Sequence, residues 1–285
     1  MEGRFVIVEF YEAMNYRGWV KSFLMEDLDP GLESKIKHYV KYLKGLHPDE
    51  MDCVEIIHHK QIKKKHMGIF SEKAPYYFVV YMKDLEDGLM NAGYLMGQLA
   101  LYLTTKELGS YVTGIEKATN YLDGQVYDSF EVLSQEENSS LVKKEELEET
   151  WMCIMAFGKP ERKIRQMSKT IDKFVLDKKC VYKTQVSTNI QMILNAAVYA
   201  PTKMLVRPYR FVIHDQRVHL YAKNEALMTS YQRVTFYLDC GIMLAYLGVK
   251  AEELWMTMSV TQLNRLLERE QKHYHYISSL IFEDQ

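Results

Sequence analysis

Arg17 and Lys21 stand one helical turn apart, a spacing that lets two cations face one anionic ligand. Just before them Val8, Phe10, Tyr11 and Met14 recur at helical spacing and predict an amphipathic helix. Much later Ala200, Pro201 and Thr202 place a small hydroxylated residue ahead of a hairpin predicted over Arg207 to Tyr221. A third set of cations, among them Lys159, Arg162, Arg165 and Lys169, crowds Gly158 to Lys173; the same run also reads as a plain solvated linker.

Other chemistries find little support. The chain holds no HExxH, GxSxG, Walker A or clean GxGxxG pattern. His58, His59 and His66 lie among Lys60, Lys63, Lys64 and Lys65, which predicts a solvated loop face rather than a metal site, and His273 and His275 read the same way. Cys53, Cys153, Cys180 and Cys240 are far apart with no CxxC pair, so reduced and mostly buried thiols are expected, not a zinc knuckle or a disulfide framework.

Several elements must position these residues. Asp29, Pro30 and Gly31 signal a turn, after which Ile36, Tyr39, Val40 and Leu43 mark an amphipathic helix ending near Gly45 to Pro48. Tyr76 to Met82 is β-branched and aromatic and too short for a helix, so it predicts a buried strand. Asp84 to Thr105 predicts a long helix, and Val112 and Trp151 to Phe157 further strands. The QEENSS and KKEELEE stretches between those strands predict an exposed loop and a solvated helix face. Trp255, Leu263, Leu266 and Leu267 recur at helical spacing and predict core packing in the last part of the chain.

The 285 residues suffice for two units of roughly 100 to 150 residues each. Hydrophobic residues make up 47% and charged ones 26%, enough to fill a core and wet a surface. A formal net charge of -2 gives no field that draws nucleic acid or anionic lipid, so neither partner is expected. Gly88 to Thr105 approaches membrane-span length, but Asn91, Gln98 and three glycines point to a buried core helix. Glu2, Arg4 and Glu9 interrupt the opening run, so no secretion signal is expected and the location predicted is cytoplasmic.

The second part of the chain replays the first. Ile36 to Leu43 corresponds to Ile190 to Val198, each running toward a proline-containing turn. APYYFVVYM at Ala74 to Met82 matches RPYRFVIHD at Arg207 to Asp215, with Pro, Tyr, Phe and Val in register. NAGYLMGQLALYL at Asn91 to Leu103 parallels YLDCGIMLAYLGV at Tyr237 to Val249. The expectation is an internal duplication with halves 1–175 and 176–285, interlocked as a monomeric pseudo-dimer.

These segments carry a family resemblance. YEAMNYRGWVKSF (Tyr11 to Phe23) resembles the amino-terminal RRSxRxF motif of the nitroreductase-like flavoproteins, with Arg17, Lys21 and Phe23 matching. NAAVYAPTKMLVRPYRFVI (Asn195 to Ile213) is similar to their APSxxNxQPWxFxV segment through Ala200, Pro201, Thr202, Pro208 and Phe211. LGSYVTG (Leu108 to Gly114) is similar to LGLGTCW, and FGKP (Phe157 to Pro160) to the FGYP turn with its basic tail. The order of motifs is like that of the fused, degenerate-repeat subfamily. Departures are Trp19 for Ser, Lys21 for Arg, Leu205 for Asn and Arg207 for Gln.

The resemblance implies an α/β (α+β) nitroreductase-like fold, with two interlocked similar subdomains of antiparallel-type sheets packed by helices. It implies bound FMN, with Arg17 and either Arg165 or Lys169 on the phosphate and with Lys21 and Arg207 nearer the ring. Thr202 and Lys203 would touch the ring or ribityl chain, Thr113 and Gly114 would pass its reactive edge, and Gly18, Trp19 and Pro201 complete the set. No protein acid or base is required. The activity implied passes electrons from NADH or NADPH to a small acceptor such as a nitroaromatic or quinone. Two rivals are a flavin-binding protein of the same fold that has lost turnover and a cofactor-free interaction protein.

Overall fold

The computed structural model describes residues 10–16, 19–46, 54–63, 70, 72–83, 86–120, 150–164, 180–182, 185–201, 209–214, 217–223, 229–261 and 274–284. Two compact units divide the chain: Gly18–Arg165, and Met1–Arg17 together with Gln166–Gln285.

In the unit Gly18–Arg165, helix α2 (Pro30–Lys41) starts where Asp29 accepts from the amides of Gly31 and Leu32 at 2.9 and 3.2 Å, with Pro30 in the first turn where no amide is needed. Strands β1 (Val54–His58), β2 (Tyr76–Met82), β3 (Gly109–Lys117) and β4 (Trp151–Gly158) form an antiparallel sheet in the order β1-β2-β4-β3. Helix α3 (Asp87–Thr105) packs on one face, where the Sγ of Cys153 lies 3.6 Å from the Sδ of Met96. Phe78 stacks on Phe157 at 4.2 Å within the sheet. The other face carries a second apolar cluster of Tyr77, Val79, Ile154 and Ala156 with Phe23 and Phe70. Burial on both faces is why β2 reads as an unbroken apolar run and not as an alternation.

Helix α2 is tied to α3 by the stacked rings of Tyr39 and Tyr102, 3.9 Å apart, and the loop beyond α2 by a 2.7 Å bond from the Leu46 amide to Asn91. The QEENSS and KKEELEE stretches lie outside the described residues.

In the other unit, a short helix at 10–14, α1, lays the Tyr11 ring 3.9 Å from the ammonium of Lys250. Strands β5 (Cys180–Tyr182), β6 (Tyr209–His214), β7 (Arg217–Lys223), β8 (Met256–Thr261) and β9 (Tyr274–Asp284) form a sheet in the order β5-β6-β7-β9-β8. Among the described residues of this unit, only the β5–β6 pair is parallel. Helix α4 (Thr188–Ala196) begins on a Ser187 cap, and α5 (Ser230–Glu253) on a Thr229–Gln232 capping box. One helical stretch among the described residues, Val234–Glu253, is long and apolar enough to cross a membrane, and it is mostly buried within the fold.

The predicted strand at Tyr76 to Met82, the strands around Val112 and Trp151, the long helix to Thr105 and the hairpin before Tyr221 are all present. Three expectations are corrected. Lys21 does not sit on a helix a turn beyond Arg17: residues 19–24 are extended, held by backbone bonds to Ser110 and Lys159, and Arg17 lies outside the described residues. Trp255 is not core: α5 stops at Glu253, and Trp255 sits at φ 59° with 60% of its surface exposed. Its partners in the helical reading, Leu263, Leu266 and Leu267, lie outside the described residues. His58 is not on a loop but closes β1, where its Nε2 lies 2.9 Å from the Asp27 carboxylate.

Candidate functional site

Three separate segments meet at one end of the four-stranded sheet. The extended stretch 19–24 is held by its own backbone: the Val20 amide donates to the Ser110 carbonyl at 3.1 Å and the Leu24 amide to the Lys159 carbonyl at 2.9 Å, while the Glu161 amide donates to Ser22 at 3.1 Å. Phe23 forms an antiparallel bridge to Pro160 and is buried. The segments most like known motifs, WVKSF, LGSYVTG and FGKP, are therefore neighbours.

Gly109 permits this approach, and Gly158 lets Pro75 close on the end of β4. A β-carbon on Gly109 would fall 2.7 Å from the Val20 side chain, and one on Gly158 2.6 Å from the Pro75 ring. Both distances are closer than real β-carbon contacts.

Lys21 projects from the clamped stretch into solvent, its Nζ 4.8 Å from the ring centroid of Tyr111. Hydrogen bonding to the Tyr111 hydroxyl holds its ammonium above the usual lysine value. Trp19 meets the same ring edge-on, with centroids 5.7 Å apart and planes at 85°. Tyr111 pairs with Ala156 and Gly114 with Ile154, so both stand on the face of the second apolar cluster.

At Gly114 the strand changes character. The register slips between Val112 and Gly114, leaving Thr113 as the extra residue of a bulge, with its hydroxyl donating to the Ile154 carbonyl at 3.3 Å. A β-carbon on Gly114 would meet nothing within 4 Å. The surface there accepts a flat group against backbone, with the Lys21 cation on the same face. This open spot and donor set fit an anionic planar cofactor.

The row continues across the sheet. Gly114 pairs with Ile154, Ile154 with Val79 and Val79 with Glu55, which puts Glu55 on the same face about three strand spacings away, ~14 Å. Burial pushes the Glu55 carboxyl up to about 7, partly offset by the Tyr81 hydroxyl donating to it at 2.8 Å.

Of the predicted site residues, Trp19, Lys21, Thr113 and Gly114 all belong to this unit. Pro201 lies in the other unit, buried just beyond α4. Arg17, Gly18, Arg165, Lys169, Thr202, Lys203 and Arg207 lie outside the described residues. Sequence reasoning passed over Tyr111, although it stands in the middle of LGSYVTG, because its role depends on a lysine ninety positions earlier in the chain.

This architecture has a counterpart among solved structures. A putative nitroreductase from Thermotoga maritima superposes with a TM-score of 0.57 at 14% identity, covering 95% of this chain and 93% of that one, which shows the nitroreductase-like fold. A nitroreductase with bound FMN from Desulfitobacterium hafniense scores 0.40 at 15% identity, over 63% of this chain and 98% of that one. The NADPH:FMN oxidoreductase of Vibrio harveyi, complexed with NAD+, scores 0.38 at 13% identity, over 63% and 78%. No curated protein sequence matches. The family model described as "Putative TM nitroreductase" matches residues 9–251, and on that match the chain belongs to this nitroreductase family.

Proposed function

We propose that the protein is an FMN-dependent oxidoreductase that passes electrons from NADH or NADPH to a nitroaromatic, quinone or similar small acceptor. Family membership supports the oxidoreductase class. The observation that carries the cofactor is the open surface at Gly114 on the same sheet face as Lys21, held in place by the meeting of three motif segments.

FMN, when bound, supplies the redox chemistry, taking electrons from a nicotinamide and giving them to the acceptor. The chain's own residues bind and orient. Lys21 supplies positive charge at the ring, and a cation there favours reduction. Gly114 lets the ring lie close to backbone, and the Thr113 hydroxyl, engaged with Ile154, stays out of its way. Arg17 with Arg165 or Lys169 serve the phosphate, and Thr202, Lys203 and Arg207 the ring and ribityl chain; these assignments rest on motif resemblance. The duplication into halves 1–175 and 176–285 belongs to the same proposal, as do a monomeric pseudo-dimer and a cytoplasmic location.

The test is anaerobic mixing of the FMN-loaded protein with NADH and then NADPH, followed by addition of a quinone or a nitroaromatic. Bleaching of the flavin bands and their return on adding acceptor are expected. Bands that never bleach with either nicotinamide would replace this reading with that of a flavin-binding protein.

A further inference from the structure

A buried ammonium needs partners, because the water it gives up must be replaced. Lys250 stands in the last turn of α5 with 8% of its surface exposed. Two groups receive its charge. The Glu253 carboxylate on the same helix lies 2.6 Å from its Nζ, and the ring of Tyr11 in α1 faces the ammonium with its centroid 3.9 Å away.

The two partners differ in when they are present. Glu253 is within reach whenever α5 is formed, whereas Tyr11 is within reach only while α1 is docked. Phe10, Ala13 and Met14 of α1 are buried too. The chain leaves α1 through a turn closed by the Tyr16 amide on the Ala13 carbonyl at 3.0 Å, and shortly after it the Val20 amide is on the Ser110 carbonyl at 3.1 Å. In chain order, the stretch carrying Lys21 thus follows one anchor, at Tyr11, and is held by another, at Val20.

We propose that α1 is a strap latched onto α5 by the Tyr11 ring closing on the Lys250 ammonium, and that the latch steadies the start of the Lys21 stretch and so favours its ligand. The last clause rests on the FMN reading above. Neither Lys250 nor Tyr11 touches the ligand; both act through the chain that joins Tyr11 to Val20. Latch and ligand favour each other by one and the same factor, as linkage requires.

The experiment is amide hydrogen exchange on the full chain, read residue by residue in wild type, Tyr11→Leu, Tyr11→Phe, and Tyr11→Phe made with a trifluorinated ring. The fluorinated ring has nearly the shape of phenylalanine but a weaker negative face, so it separates attraction for the cation from plain packing. Exchange over 10–16 and at Val20 should match wild type in Tyr11→Phe. It should be about tenfold faster in Tyr11→Leu and with the fluorinated ring, while exchange in β2 is unchanged. In a Lys250→Met background the fluorinated ring should make no difference. Equal exchange with the two phenyl rings, or a fluorine effect that survives Lys250→Met, would overturn the latch. Faster exchange over 10–16 with none at Val20 would overturn its hold on the Lys21 stretch.

A second readout separates this from failure of the cofactor reading. Saturating FMN should slow exchange over 10–16 in wild type by about fivefold or more. A protein that takes up FMN with no change there overturns the coupling to the ligand. One that takes up no FMN removes the cofactor reading, and the ring series still decides the latch.

Discussion

The Val20 side chain lies so close over Gly109 that a β-carbon there would come within 2.7 Å of it. All three contacting atoms are the branched carbons of a stiff side chain, so little can yield. Gly109→Ala should therefore destabilise the protein by about 1–3 kcal/mol through overpacking. It should also weaken FMN, because the stretch carrying Lys21 must lift away from Ser110. Urea unfolding and an FMN titration on the same sample check both, and an alanine variant of wild-type stability would contradict the tight approach.

Glu55 predicts a pH dependence of known sign. Its carboxyl is raised by burial from 4.5 to about 7, so between those values the folded chain holds more protons than the unfolded one. Stability from this group is then lost as pH rises, with a penalty approaching about 3 kcal/mol above pH 7 and none below 4.5. Glu55→Gln keeps an acceptor for Tyr81 and removes the ionisation. It should match wild type near pH 4.5 and be the more stable protein at pH 8. Parallel stability curves for the two proteins would contradict the burial.

Two long helices end in the same way. After α3, Glu107 has φ 58°, with its amide on Thr104 at 3.1 Å and that of Leu108 on Leu103 at 2.9 Å, the bonds of a Schellman turn. After α5, Trp255 has φ 59°, with its amide on Glu252 at 3.0 Å. Neither side chain favours that left-handed conformation, so Glu107→Gly and Trp255→Gly should each stabilise the fold by about 1 kcal/mol. Thermal unfolding of the two variants is the check, and a loss at either position would show that the side chain's contacts outweigh the strain.

Asp27 accepts from Lys60 at 2.8 Å and lies 2.9 Å from the His58 ring. Hydrogen bonds from Lys60 and then His58 hold its carboxyl below 3.8, so the stability it adds is present above that value and lost as pH falls through the lowered one. The group is exposed, which keeps the effect small at ordinary salt. Carbon NMR titration of Asp27 in wild type and Lys60→Met should show the pKa rising in the variant; no change would contradict the pairing.

Local pattern carried much of the fold. Tyr76 to Met82 announced itself because a sheet buried on both faces leaves no polar position in its second strand, and the helix to Thr105 because a core helix is apolar all round. The end of the chain misled for an equally physical reason. Trp255, Leu263, Leu266 and Leu267 satisfy helical spacing, but Met256, Met258 and Val260 alternate with Thr257, Ser259 and Thr261 in the two-residue period of the edge strand that forms. Contacts such as Asp27 with His58 and Lys21 with Tyr111 join residues distant in sequence, and no local spacing encodes them. Lys21 was signalled by its spacing from Arg17, while Trp19, Thr113 and Gly114 were reachable only through motif resemblance, and what the fold adds is the open surface at Gly114 and the tyrosine beside the lysine.

FMN binding measured directly in wild type and in Gly114→Val tests the central claim. Wild type should quench FMN fluorescence at one flavin per chain. Valine, filling the space where a β-carbon now meets nothing within 4 Å, should abolish the quenching, while the exposed control Lys63→Ala leaves it unchanged. Absence of quenching in wild type, or equal binding by Gly114→Val, would contradict it.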